Sequence, residues 1–216
     1  LRVADDSSKT TIVVNDPKTY QSVLGMGPSI EDSTIYHLLK MPDENRQAFL
    51  RRLLDPVNGM GMSLMRVTVG TSDFTAQDFY TYYDGTGKEL DGKPDWNNVT
   101  GKGFSIQKDK DLGIIKVINE MQAIAKELGV EDNLKFFASS WTPPGWMKLP
   151  TSSSNSYEDN ELLLKGGKLN DDYIDDLAKY MVRYVEEYQK CGIPIYAMTI
   201  QNEPLLEITY PSCAMT

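Results

Sequence analysis

Three short runs of this sequence end in groups that bind hydroxyls or move protons: Thr71, Ser72 and Asp73; Trp141, Thr142, Pro143 and Pro144; and Asn202, Glu203 and Pro204. Each closes an apolar stretch, so each reads as the polar tip of a strand. A carboxyl group supported by an amide and walled by an indole suits a polyhydroxylated ring. The aromatic packs on apolar C–H faces, while carboxylates and amides take hydrogen bonds from and to hydroxyls. Cleaving a glycosidic bond takes two carboxyls, one of them protonated to help the leaving oxygen depart, and Glu203 is the candidate acid. Taken singly, each residue has an ordinary alternative: Glu203 a surface carboxylate, Asp73 a turn or helix cap, Trp141 a core side chain. Those alternatives do not account for all three falling at one rim.

Other chemistries find less support. The turn "GMGPSI" begins like a dinucleotide fingerprint, but Ile30 stands where its third glycine belongs and no strand-ending acid follows about 20 residues on. His37, the single histidine, lies in the apolar helical run "TIYHLL" and reads as a packed or capping side chain. With one His, two separated Cys and scattered acids, no metal-ligand spacing is recognisable, and no cofactor is expected. A net charge of -9 with no Lys/Arg stripe argues against nucleic acid. No apolar run approaches bilayer length, so no transmembrane segment is expected. Position 1 is Leu rather than Met, so any leader lies outside this sequence.

The elements that must position these tips follow an α/β order. Strands are expected at 11–14 (a short edge-like piece), 20–27, 62–69, 134–140 and 195–202, with apolar runs that alternate only partly, as in a parallel sheet buried on both faces. Helices are expected near 35–41, over 44–54, over 109–128 with a stop at Gly129, and over 170–190 with acids at its start. The connections 71–108 and 141–169 follow strand carboxyl ends and are long, whereas those entering strands are short. "TSSSNS" at 151–156 reads as a loop. One plain rim and one elaborated rim are what a barrel with chemistry at its carboxyl-terminal face requires. Cys191 and Cys213 flank the last strand, whose ends lie about 25 Å apart at the rise of an extended chain, so no bridge between them is expected. The triplet Asn98, Val99, Thr100 permits glycosylation, and the expectation is a soluble protein, secreted or lysosomal-like.

The runs 20–34 (YQSVLGMGPSIEDST), 59–74 (GMGMSLMRVTVGTSDF), 134–147 (LKFFASSWTPPGWM) and 193–204 (IPIYAMTIQNEP) resemble the first four strand regions of glycoside hydrolase family 30, the glucosylceramidase-like retaining β-glycosidases. The resemblance implies the first half of a (β/α)8 barrel over residues 20–216, with 1–19 contributing a strand to a β-sandwich side domain. It implies that Glu203 is the acid/base, Asn202 the amide on the sugar 2-hydroxyl, Asp73 a grip on ring hydroxyls and Trp141 a lining residue of that subsite. Arg66 would lie beneath the active carboxylates and help keep the nucleophile ionised. Pro28 departs from the small residue common there. The family's nucleophile is a glutamate on a seventh strand, and this sequence offers no residue for it.

Within the chain Asp73 is the obvious substitute, but retaining chemistry needs carboxyls about 5–5.5 Å apart and Asp73 is two strands from Glu203, so it is kept as a binder. The expectation is therefore a retaining β-glycosidase acting on β-glucosides, glycolipid or glucan, whose partner is a complementary C-terminal half-barrel. A β-xylosidase or β-1,6-glucanase of the same family is the nearer alternative. A noncatalytic carbohydrate-binding or scaffold half-barrel is the more distant one. A half-barrel leaves its first and fourth strands as open edges and is not expected to be stable or active alone.

Overall fold

The structure, a computed structural model, describes residues 12–84 and 103–215. The triplet at Asn98 and most of the segment assigned to a side domain lie outside the described residues. Along the chain come β1 (Ser29–Ile30), α1 (Asp32–Lys40), α2 (Asp43–Leu54), β2 (Leu64–Val69), α3 (Gln107–Asp111), α4 (Ile114–Leu128), β3 (Lys135–Ser140), β4 (Lys148–Leu149), α5 (Ser152–Asn155), β5 (Lys168–Leu169), α6 (Ile174–Lys190) and β6 (Ile195–Thr199). Strands β1, β2, β3 and β6 form one sheet in that order, every neighbour parallel. An antiparallel pair, β4 and β5, sits in the long connection after β3.

Side chains alternate across these strands. Met65, Val67 and Val69 of β2, with Phe136 and Ala138 of β3, join the core built with the helices. Ser29, Arg66 and Phe137 are paired in register and share the other, half-buried face. Helix α4 forms where sequence periodicity put it, burying Ile114, Val117, Ile118, Met121 and Ala125 along one side. Glycines in the left-handed region bound it, Gly113 at φ +78° and Gly129 at φ +69°, the latter donating its N–H to the last turn.

Several expectations are corrected. Residues 20–27 form no strand: Tyr20, Val23 and Met26 are exposed. That segment is hydrogen-bonded to the start of β2 through the Met26 carbonyl, which accepts from Ser63 and Leu64 N–H at 2.9 and 3.2 Å. The ladder begins at Ser29. Gly27 is required just before it, because a Cβ there would sit 2.2 Å from the Leu64 carbonyl oxygen. Residues 12–14 carry no strand and stand exposed, with no strand paired to them among the described residues. The helix expected over 109–128 is split at Gly113. The loop expected at 151–156 contains α5, whose N-cap Thr151 and Ser154 form a capping box. The last strand stops at Thr199 rather than 202. His37 is exposed in the last turn of α1, edge-on to Tyr36, rather than packed. The cysteines need no correction: Cys191 and Cys213 are free thiols with no bridge between them.

The connection after β2 is held by a fully buried carboxylate. Asp109 on α3 accepts hydroxyl hydrogen bonds from Tyr80 (2.9 Å), Tyr82 (2.6 Å) and Tyr188 of α6 (2.5 Å). Burial raises its pKa to about 6, although all three hydroxyls favour the ionised form. A carboxyl whose folded pKa lies above its unfolded value binds protons more tightly in the folded state, so its contribution to stability is present at low pH and lost as pH rises towards 6. Relative to Asp109→Asn, the wild type should therefore gain about 2–3 kcal/mol between pH 7 and pH 4 in urea denaturation. A difference that does not vary with pH would contradict this reading.

Candidate active site

Because the four strands run in the same direction, their carboxyl ends open on one rim, and the polar tips expected from sequence meet there. The Arg66 guanidinium on β2 lies over the Trp141 ring, 4.6 Å from its centroid. Its Nε donates to the Ser29 hydroxyl (3.1 Å) and one terminal nitrogen donates to Glu31 Oε1 (3.2 Å). Trp141, just past β3, donates its indole N–H to Asp73 Oδ1 at 3.1 Å. A single chain of contacts thus runs from Glu31 through Arg66 and Trp141 to Asp73, crossing three strand ends.

The sequence-level role of Trp141 is corrected in one respect. The indole is only 3% exposed, so neither face is open for a sugar to stack on. One face meets Arg66 and the ring edge holds Asp73. Trp141 instead orients Asp73, which is exposed and has no second hydrogen-bond partner among the described residues.

Glu203 lies in the turn beyond β6. The Asn202 N–H donates to the Ser140 carbonyl (2.6 Å), extending the β3–β6 contact past the last paired strand residue. Glu203 itself takes a left-handed φ of +48°, a conformation that costs a non-glycine residue about 1 kcal/mol or more and turns its side chain out of the strand path. The carboxylate is exposed; Oε2 accepts from Asn202 Nδ2 and from the Tyr210 hydroxyl, both at 3.4 Å. Partial burial, then the charges of Glu203 and Asp73, raise the Tyr210 pKa. That hydroxyl therefore lies within the field of both acids. The five expected site residues, Arg66, Asp73, Trp141, Asn202 and Glu203, all fall at this rim.

Three residues were not singled out from sequence. Glu31 is buried, pairs with Arg66 and accepts the Ser72 hydroxyl. Asp32 accepts the Thr75 hydroxyl (2.7 Å) and the Ala76 N–H (3.3 Å), and burial raises its pKa. Consecutive acids after β1 therefore pin the Asp73 turn on both sides. Tyr210 is the third, brought back by the segment after β6, which is tied to the connection after β3. There the buried Lys148 ammonium donates to Thr142 Oγ1 (2.8 Å) and the Ser212 carbonyl (2.9 Å), and burial lowers its pKa to about 8. Among the described residues no cluster of three or more His, Cys, Asp or Glu could hold a metal ion. No helix among them is long and apolar enough to cross a membrane. Arg66 is 30% exposed and Glu31 8%, so solvent partly screens the pair. Glu31→Ala should cost about 1–3 kcal/mol in urea denaturation, and Ser29→Ala, which loses one neutral hydrogen bond, about 1 kcal/mol or less. Equal costs would contradict the ion pair as the tie.

Comparison with known proteins identifies the family. A family model described as the glycosyl hydrolase family 30 TIM-barrel domain matches residues 23–211. The chain is 31% identical over 197 residues to the endo-1,6-beta-D-glucanase neg1 of Aspergillus fumigatus, covering 89% of this chain and 37% of that protein. It is 25% identical over 193 residues to the lysosomal acid glucosylceramidase of Mus musculus, covering 89% of this chain and 33% of that protein. The solved structure of an endo-β1,6-glucanase superposes with a TM-score of 0.73 at 32% identity, over 93% of this chain and 40% of that one. The chain thus spans little more than a third of the length of the curated relatives it matches. With the matched model extending over nearly all of its length, the chain belongs to glycoside hydrolase family 30.

Proposed function

We propose that this chain is the N-terminal half of a retaining β-glycosidase acting on β-glucosides, in which Glu203 is the acid/base and a complementary C-terminal half-barrel supplies the nucleophile. The observation that carries the reading is the exposed Glu203 carboxylate at the same rim as Asp73, with the Tyr210 hydroxyl in the field of both. Protonated Glu203 gives its proton to the leaving glycosidic oxygen as the nucleophile bonds to the anomeric carbon. The same carboxylate then takes a proton from the water that releases the sugar. Asn202 holds the 2-hydroxyl, and Asp73, backed by Trp141, grips ring hydroxyls at its open oxygen. Arg66, oriented by Glu31 and Ser29, places positive charge beneath the carboxylates.

The open edge of β6 favours a complementary half. Tyr196, Ile200 and Leu205 are exposed there, an apolar margin that a further strand and helix would cover. Residues 1–19 belong, on this reading, to a β side domain, and a secreted or lysosomal-like location goes with it. Similarity to several endo-1,6-β-glucanases favours β-1,6-linked glucan as the narrower substrate class.

In the protein that joins both halves, Glu203→Gln should lower hydrolysis of alkyl β-glucosides, which have poor leaving groups, about a hundred- to ten-thousand-fold. Added azide should restore turnover of activated aryl β-glucosides. Undiminished hydrolysis would remove Glu203 from its role. The 216-residue chain by itself should leave an aryl β-glucoside intact until the complementary half is supplied. Continued inactivity with that half present would favour a noncatalytic binding scaffold instead.

A further inference from the structure

Strand β6 ends at Thr199, yet the turn that carries Glu203 stays fastened to the tip of β3. The Asn202 N–H reaches the Ser140 carbonyl directly, and the Asn202 carbonyl is tied to the Trp141 carbonyl through one side chain, Gln201. The Gln201 amide donates to both, to the Trp141 carbonyl at 2.5 Å and to the Asn202 carbonyl at 3.0 Å, which uses its two N–H groups. We propose that Gln201 is a positioning residue for the acid/base: by fixing the peptide plane that leads into Glu203 against the backbone of Trp141, it holds the Glu203 carboxyl at the leaving oxygen. The inference rests on the hydrolase reading above and adds to it the residue that aims the acid.

The carboxylate itself is loosely held. Its side-chain contacts to Asn202 and Tyr210 are both 3.4 Å long, beyond the usual length of a hydrogen bond, so the direction of the side chain follows from the backbone. That backbone lies in the left-handed region at φ +48°, which a non-glycine residue keeps only where its surroundings fix it. After Glu203 main-chain bonds do this: Leu206 N–H donates to the Glu203 carbonyl (2.9 Å) and Met215 N–H to the Pro204 carbonyl (2.8 Å). Before Glu203 it falls to the Asn202 N–H and to Gln201. The Gln201 side chain is 9% exposed, and its Oε1 is buried with no hydrogen-bond partner among the described residues. An unpaired buried acceptor costs stability, and turning the amide over to relieve it would set Oε1 against two carbonyl oxygens. A side chain kept for packing alone gains nothing from that arrangement, whereas one kept for its two donated bonds does. The same amide joins the Glu203 turn to the residue that orients Asp73, so the acid and the hydroxyl grip share one frame.

An acid must lie within hydrogen-bond reach of the leaving oxygen to protonate it. An alkoxide leaves only with that proton, and a dinitrophenolate leaves without it. The test uses the protein that joins both halves and compares kcat/KM for an alkyl β-glucoside with that for a dinitrophenyl β-glucoside, a ratio that does not depend on how much of a variant is folded. Gln201→Met, which keeps the length and removes both donors, should lower the alkyl value about ten- to a hundredfold more than the dinitrophenyl value. Gln201→Asn keeps the amide on a stem one carbon too short to reach both carbonyls; its ratio should fall between those of Gln201→Met and wild type, and it decides the question if Gln201→Met does not fold. Equal losses on the two glycosides, or no loss, overturn the inference and leave the hydrolase reading in place. A wild type that cleaves neither glycoside removes the hydrolase reading, and the inference with it.

Discussion

The Arg66 guanidinium has an acid on one side and an indole on the other, and the geometry of the rim depends on that arrangement. Its bonds to Ser29 and Glu31 fasten the end of β1 to β2, and its contact with Trp141 fastens β2 to the end of β3. The indole N–H then sets Asp73, the first exposed acid in the series. A planar guanidinium can stack and donate in its own plane at once, which an ammonium cannot do. Parallel strands bring their tips to one rim through topology alone, but the pairing geometry does not say which way an acid at a strand tip points. Here a partly buried ion pair and a stacked ring settle that for Asp73, while for Glu203 a left-handed backbone turn does so.

A second layer of polar burial supports this arrangement from farther out. Asp109 gathers three tyrosine hydroxyls and so fastens the segment after Asp73 to α6. Lys148 gathers oxygens from the segment after β3 and from the last residues of the chain, and so brings Tyr210 back to Glu203. Both charges are deeply buried, and in each case desolvation shifts the pKa towards the neutral form. Ordering long connections by buried ionisable groups costs solvation energy, which three hydrogen bonds to each group partly offset. Regular packing of α2, α4 and the helix-facing side of the sheet supplies the rest.

Much of this was legible in the residues, for reasons that are local. Strands β2 and β3 and the helices α2, α4 and α6 have enough consecutive apolar positions for period and length to identify them. The polar tips follow directly, which is why Asp73, Trp141, Asn202 and Glu203 could be named, whereas Arg66, inside β2, was named only through the resemblance to glycoside hydrolase family 30. Strand β1 was misplaced because its ladder has only two residues, while the apolar run before it, from Tyr20 to Met26, stays exposed. Trp141 could be placed at the rim but not oriented, since an aromatic side chain offers either its face or its N–H and only the position of Asp73 decides between them. Glu31 lay inside a recognisable turn, yet its importance comes from a partner 35 residues away. Tyr210 depends on connections meeting in space, for which the sequence has no period.

The central claim is that Glu203 and Asp73 serve opposite sides of one bound pyranose. A crystal structure of the joined half-barrels with a non-hydrolysable β-gluco-oligosaccharide tests it most directly. The account predicts a glucosyl ring with hydroxyls on Asp73, the inter-sugar linking atom about 3 Å from the Glu203 carboxyl, and Trp141 still buried behind Asp73 rather than stacked on the ring. A sugar bound elsewhere, or one whose linkage lies beyond hydrogen-bond reach of Glu203, would contradict it.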